Sequence, residues 1–238
     1  MPVHIYTNWN SRPYDNQEQI EPFKKFYFIC EGLNTETYYF RRLIDLRKQL
    51  GIHQLIELRL CEKTGKDKDI SFPKNLKAFA DAQKKNPELG FDPHRDKMII
   101  VFDGDIFENK VSGYDELVSS IEENDIAAVT NPGFELFLIL HIEGSYYTHI
   151  QGHEAEFLSM DEHGRYSYAY NVLRDLTHMN AKSNPKIGKL ADNVLTAINQ
   201  EEHINQDIHK LKGQITSNIG KVIKMIINDN PLNHSKFN

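Results

Sequence analysis

The chain has 238 residues, 39% of them hydrophobic, and a formal net charge of −6. That length and composition suit one large domain, or one and a half ordinary ones, with a proper core, and they exclude a disordered chain. The acidity argues against a broad electrostatic footprint on nucleic acid and leaves a second reading, carboxylates gathered to hold metal. The longest apolar run, 134–142, is too short for a bilayer and is broken by Glu135 and His141, so no membrane partner is expected. Residues 1–19 are polar and lack the apolar centre of an export signal, which points to a cytoplasmic protein. Cys30 and Cys61, outside any C-x-x-C pair, read as buried reduced thiols in keeping with that compartment.

In chain order, 26–30 is a continuously apolar stretch that predicts a buried strand. A helix follows from Asn34 or Thr35 to about Leu50, with Tyr39, Leu43, Leu46 and Leu50 on one face and Gly51 as its stop. A second strand is expected at 55–60, a charged loop at 63–69 and a modest amphipathic helix at 75–85. "MIIVF" at 98–102 is the strongest strand signal, ended by Asp103-Gly104-Asp105. A helix over 114–124, a short strand at 126–129 and a buried helix over 134–142 complete the alternation. Alternating strands and helices with apolar central strands predict an α/β fold, a mostly parallel sheet covered by helices on both faces. Beyond Glu154 the strand signal fades, and helices are expected at 193–198, 204–211 and 215–227. The expected division is therefore 22–150 as the α/β unit and 151–238 as a helical extension.

Two breaks in this pattern coincide. The first strand ends on Glu31 and the third ends on Asp103 and Asp105. Ligand sites of open α/β sheets form at the carboxyl ends of strands, near the point where strand order switches. Alternate residues of an extended segment project to the same side, so Asp103 and Asp105 are expected to point together, with Gly104 allowing a close approach to the backbone. Crowded carboxylates repel one another unless they are protonated or share cations, and an all-oxygen donor set suits Mg²⁺ or Mn²⁺. The plainer alternative is turn chemistry at Asp-Gly-Asp with Glu31 as a cap or ion-pair partner.

At these residues a resemblance enters. "CEGLNTETYYF", "VFDGDIF" and "NPGFELFLILHI", in this order and separation, resemble the three blocks of the RloB-like family of bacterial defence and abortive-infection proteins, over about 26–142. The resemblance implies a TOPRIM-type fold and a metal-dependent nuclease. Its metal would be held by a glutamate after the first strand and a D-x-D after the third, here Glu31, Asp103 and Asp105. The expected substrate is DNA or RNA, such as tRNA, cut in anti-phage defence, and the expected partner is an ABC-type ATPase. The rival is a non-catalytic regulatory subunit that docks to that ATPase, and a homo-oligomer is left open. Gly104 stands where the family commonly carries a larger or basic residue, and Phe137 where tryptophan is usual. No match is evident beyond Ser145.

Glu36, one turn into the first helix, either reaches the metal or only favours the helix N-terminus. Glu135 needs a partner in so apolar a helix, either the carboxylate cluster or an arginine. Asn131 either presents an amide at the same sheet edge or is a turn residue before Pro132, and His141 reads as a satisfied core histidine. Trp9 and the tyrosines of "YSYAY" (166–170) either stack on bases or pack ordinarily. "KTGKDKD" lacks a full phosphate-loop frame. No lysine ranks as a base among Lys182, Lys186 and Lys189.

Overall fold

Strand residues of the core alternate between two apolar layers. Phe26, Phe28 and Cys30 face one hydrophobic cluster and Tyr27 and Ile29 face the other, the period of two that a sheet buried on both sides requires. The structure is a computed structural model of the full chain and describes residues 4–9, 21–63, 72–109, 112–159 and 166–232. Most of the polar leader and most of the "KTGKDKD" stretch, with Lys66 and Lys68, lie outside the described residues.

The sheet has six strands in the order β1-β3-β2-β4-β5-β6. Strands β2 (Lys24–Cys30), β3 (Ile56–Glu62), β4 (Lys97–Asp103) and β5 (Ile126–Asn131) run parallel. Two short antiparallel strands, β1 (His4–Tyr6) and β6 (Thr216–Ser217), close the edges. Helix α1 (Thr35–Asp45) covers one face, joined there by α5 (Phe134–Ile139), α7 (Tyr168–Thr177), α8 (Val194–Glu201) and α9 (Ile219–Asn228). The other face carries α2 (Pro73–Lys84), α3 (Asp105–Asn109) and α4 (Tyr114–Glu122). A further short helix, α6 (Glu154–Leu158), precedes α7. Each fully buried core side chain, such as Phe28 or Leu43, stabilises the fold by about 1.5–3 kcal/mol. Among the described residues no helix is long and apolar enough to cross a membrane.

The expected α/β architecture is therefore present, and its four parallel strands stand where the apolar runs predict them. The C-terminal segment differs from expectation. Only Ile208–Lys210 of 204–211 is helical, as one 3₁₀ turn, and Thr216–Ser217 pairs with β5 before α9 begins. A 3₁₀ segment, Pro185–Asn193, packs along α1 so closely that a Cβ on Gly188 would lie 2.4 Å from the Tyr38 carbonyl oxygen. Ile187, Ala191, Ile198, Ile223 and Ile226 share one core with Phe26 and Phe28, so the helices beyond residue 150 complete one face of the sheet.

Candidate active site at the carboxyl edge of the sheet

Strand β2 leads into α1 on one face, while its neighbour β4 leads into α3 and α4 on the other. Connections leaving in opposite directions open a crevice between the two strand ends, the place where such sheets bind ligands. Here the Glu31 amide donates to the Val101 carbonyl at 2.9 Å, the last rung between β2 and β4. One step further on, the Asp103 amide donates to Glu31 Oε2 at 3.0 Å, so a side chain continues the ladder. The two acids predicted from separate strand ends are thus brought together.

Five carboxylates line one cleft of about 480 Å³: Glu31, Glu36, Asp103, Asp105 and Glu135. Glu36 is 8% exposed, and its carboxylate lies over Gly32, where a Cβ would fall 1.9 Å from Oε2. Gly133 plays the same part for the other acids, since a Cβ there would lie 3.1 Å from Glu135 Oε2 and 3.4 Å from Asp103 Oδ2. Asp103 also accepts from the Thr130 hydroxyl at 2.8 Å. The D-x-D spacing is not extended throughout: β4 ends at Asp103, the chain bends at Gly104, and Asp105 opens α3. A Cβ at Gly104 would meet Leu211 Cδ1 at 2.4 Å, a side-chain end that can swing aside, and the Thr130 carbonyl oxygen at 3.3 Å, a tight contact with backbone.

Burial pushes the Glu31 carboxyl up to about 7; the Asp103 amide and Lys63 oppose the rise, while the charges of Glu36 and Asp105 add to it. Burial raises Asp103 well above the usual carboxylate range, and Glu36, Glu135 and Glu31 raise it further. Glu36 is raised by burial and by Glu135, and Glu135 by burial and by Asp105. Two ammonium groups temper this acidity. Lys63 donates to the Glu31 carbonyl, and the charge of Lys182 lowers the Glu135 carboxyl.

Divalent-cation chemistry suits this donor set, which is all oxygen, partly desolvated and self-repelling. Among the described residues no three His, Cys, Asp or Glu side chains already stand around one point as ligands of a single ion. Glu31 Oε2 is engaged by the Asp103 amide.

Of the secondary candidates, Glu36 and Glu135 join the cleft. Asn131 does not line it: its amide donates to Glu108 at 2.7 Å and to the Gln214 carbonyl at 2.9 Å, tying β5 to the loop before β6. His141 is buried between the Tyr39 hydroxyl and the Phe137 carbonyl, each at 2.9 Å. Phe137 packs edge-on against Tyr39 and His141, and Arg47 lies over Trp9 at 4.6 Å. Thr130 is a contributor that sequence reasoning did not assign to the site, whereas Tyr166 and Lys182, read from sequence only as a stacking-or-packing tyrosine and as one of three unranked lysines, are placed on the cleft. No spacing ties Lys182 to Glu31. Its loop is pinned by Asn34, which donates to the Lys182 carbonyl across a separation of 148 residues, and by Thr35, which donates to the Ala181 carbonyl. Asn34 holds the N-cap position of α1, yet its side chain serves this bridge and not the helix.

A family model described as RloB-like protein matches residues 26–226. The match runs well past Ser145, so the segment beyond it belongs to the same family pattern. No curated protein and no solved structure matches the chain.

Proposed function

The chain belongs to the RloB-like protein family, and from that premise we propose that its acidic cleft is the active site of a divalent-metal-dependent nuclease. One observation carries the reading. Of two neighbouring parallel strands at the switch of strand order, β2 runs directly into Glu31 and β4 ends on Asp103, the two tied by the Asp103 amide, with three further carboxylates in the same cleft.

Glu31, Asp103 and Asp105 would hold one or two Mg²⁺ or Mn²⁺ ions. Bound there, a divalent cation supplies polarisation of phosphate oxygens and activation of water. The Thr130 hydroxyl and the Asp103 amide orient the Asp103 and Glu31 carboxylates respectively. Burial raises the carboxyls of Glu36 and Glu135 above the ordinary carboxylate range. In their ionised form they are more basic than a free carboxylate and suited to accept the proton of the attacking water. The water oxygen then bonds to phosphorus as the bond to the leaving oxygen breaks, and the leaving oxygen takes a proton from solvent. The resemblance adds a setting to this chemistry: anti-phage defence in the cytoplasm, on RNA such as tRNA or on DNA, gated by an ABC-type ATPase.

The test is incubation of the purified chain, alone and with any ABC-type ATPase encoded beside it, with tRNA, single-stranded DNA and duplex DNA in Mn²⁺. Products that require metal and vanish in Asp103→Ala support the nuclease. Full activity in Asp103→Ala, with metal still required, overturns the assignment. No product under any condition favours the rival reading, a non-catalytic subunit that docks to an ABC-type ATPase.

A further inference from the structure

We propose that the wall of the cleft formed by Tyr166 and Lys182 binds an unpaired nucleotide. Lys182 takes a backbone phosphate oxygen and Tyr166 stacks on the base, so single-stranded nucleic acid is the substrate class. The inference rests on the reading of the carboxylate cleft as a phosphodiester-cleaving site and names what enters it.

A cleft of five carboxylates repels a phosphate chain unless a cation is built beside them. Lys182 is exposed and lines the same cleft. Its ammonium lies 5.7 Å from the Tyr170 ring and 5.9 Å from the Tyr166 ring, and its backbone is pinned to the start of α1 by Asn34 and Thr35. Both ends of the side chain are therefore placed, and the charge is directed to the cleft rim.

The two tyrosines are stacked, with centroids 4.3 Å apart and planes 17° from parallel. Tyr170 is buried and backs Tyr166, which is half-buried and lines the cleft. Tyr168, between them in sequence, turns away to pack edge-on against Phe157. Leu33, on the loop after β2, is 46% exposed and adds an apolar lip to the same cleft. A backed aromatic ring beside a fixed cation is the combination with which proteins hold single strands, the ring taking a base and the cation the backbone. Bases paired and stacked within a duplex cannot reach a ring inside a cleft, whereas an unpaired base can.

Fluorescence anisotropy of the full chain tests this, with a labelled single-stranded oligonucleotide, as DNA and as RNA, and the matching duplex, in Ca²⁺. The single strand is expected to bind more tightly than the duplex. Lys182→Met and Tyr166→Ala should each weaken single-strand binding about tenfold, and Lys182→Arg and Tyr166→Phe should retain it. Lys182→Met should also reduce the salt dependence of binding by about one phosphate contact, which a merely structural role would not do. Wild-type single-strand affinity in both Lys182→Met and Tyr166→Ala, or a preference for duplex, overturns the proposal. Should Tyr166→Ala fail to fold, the lysine pair decides. If no substrate is cut in Mn²⁺ while Lys182→Met still weakens binding, the nuclease reading fails and the nucleotide-binding wall stands. If cleavage occurs and Lys182→Met binds and cuts as wild type does, the wall fails and the nuclease stands.

Discussion

The Asp103 amide donates to the Glu31 carboxylate at 3.0 Å, so the ends of β2 and β4 are joined by a catalytic candidate where the backbone ladder stops. The bond needs an acceptor oxygen at position 31 but no charge. Glu31→Gln keeps an acceptor, removes a half-buried carboxylate from a repelling cluster, and is expected to melt no lower than wild type while losing metal-dependent cleavage. Thermal melts beside a cleavage assay check this. Retained cleavage would remove Glu31 from the metal set.

Asp103 is held against both desolvation and the charges of Glu36, Glu135 and Glu31. Without divalent metal, Asp103→Asn should therefore melt several degrees higher than wild type. Wild type should gain about 2.7 kcal/mol of stability when Mn²⁺ is supplied at a hundred times its dissociation constant, and the variant should gain far less. Equal gains in the two proteins would place the ion elsewhere.

Two buried groups set opposite limits on stability with pH. Glu201, 0% exposed, accepts from the Ser217 hydroxyl and from the Gly220 and Lys221 amides, yet burial pushes it up to about 7. A carboxyl raised in the folded state contributes stability that is full below its unfolded pKa, about 4.5, and is lost as pH rises through about 7. Glu31 adds to the same limb. His141 is lowered by burial from 6.5 to about 4, so its contribution is present above 6.5 and lost as pH falls through 4. Metal-free melting temperatures should peak in the weakly acidic range. Glu201→Gln should lower the curve throughout, by about 1–3 kcal/mol for an imperfectly matched hydrogen bond, and flatten the alkaline limb. An alkaline slope unchanged from wild type would show that Glu201 does not set it.

Gly188 meets the Tyr38 backbone where the 3₁₀ segment crosses α1. Its nearest neighbours are a carbonyl oxygen and carbon, which cannot swing aside as a side chain can. Gly188→Ala is expected to cost about 1–3 kcal/mol and to lower one cooperative unfolding transition for the whole chain. Loss of a separate early transition, with the main one unmoved, would mean that the C-terminal segment folds apart from the sheet.

Some of this was legible in the chain alone. The runs at 26–30 and 98–102 are apolar at every position, as strands buried on both faces must be, and each ends abruptly on an acid. Burial chemistry is local to such runs, and so strand positions and the identity of Glu31, Asp103 and Asp105 follow from composition and order. The edge strands were not legible. His4–Tyr6 and Thr216–Ser217 have three and two residues, too few for any period, and are strands because β3 and β5 offer them partners.

The composition of the cleft divides in the same way. Residue order determined that acids follow two buried strands, because a carboxylate placed at the end of an apolar run marks a chain leaving the core. Only the tertiary structure decided that those strands are neighbours, that Glu36 and Glu135 turn into the same volume, and that Lys182 and Tyr166 close its wall. Sheet order and loop docking depend on hydrogen bonds between segments far apart in the chain, such as Asn34 to the Lys182 carbonyl. No local pattern encodes a contact whose two halves are specified independently.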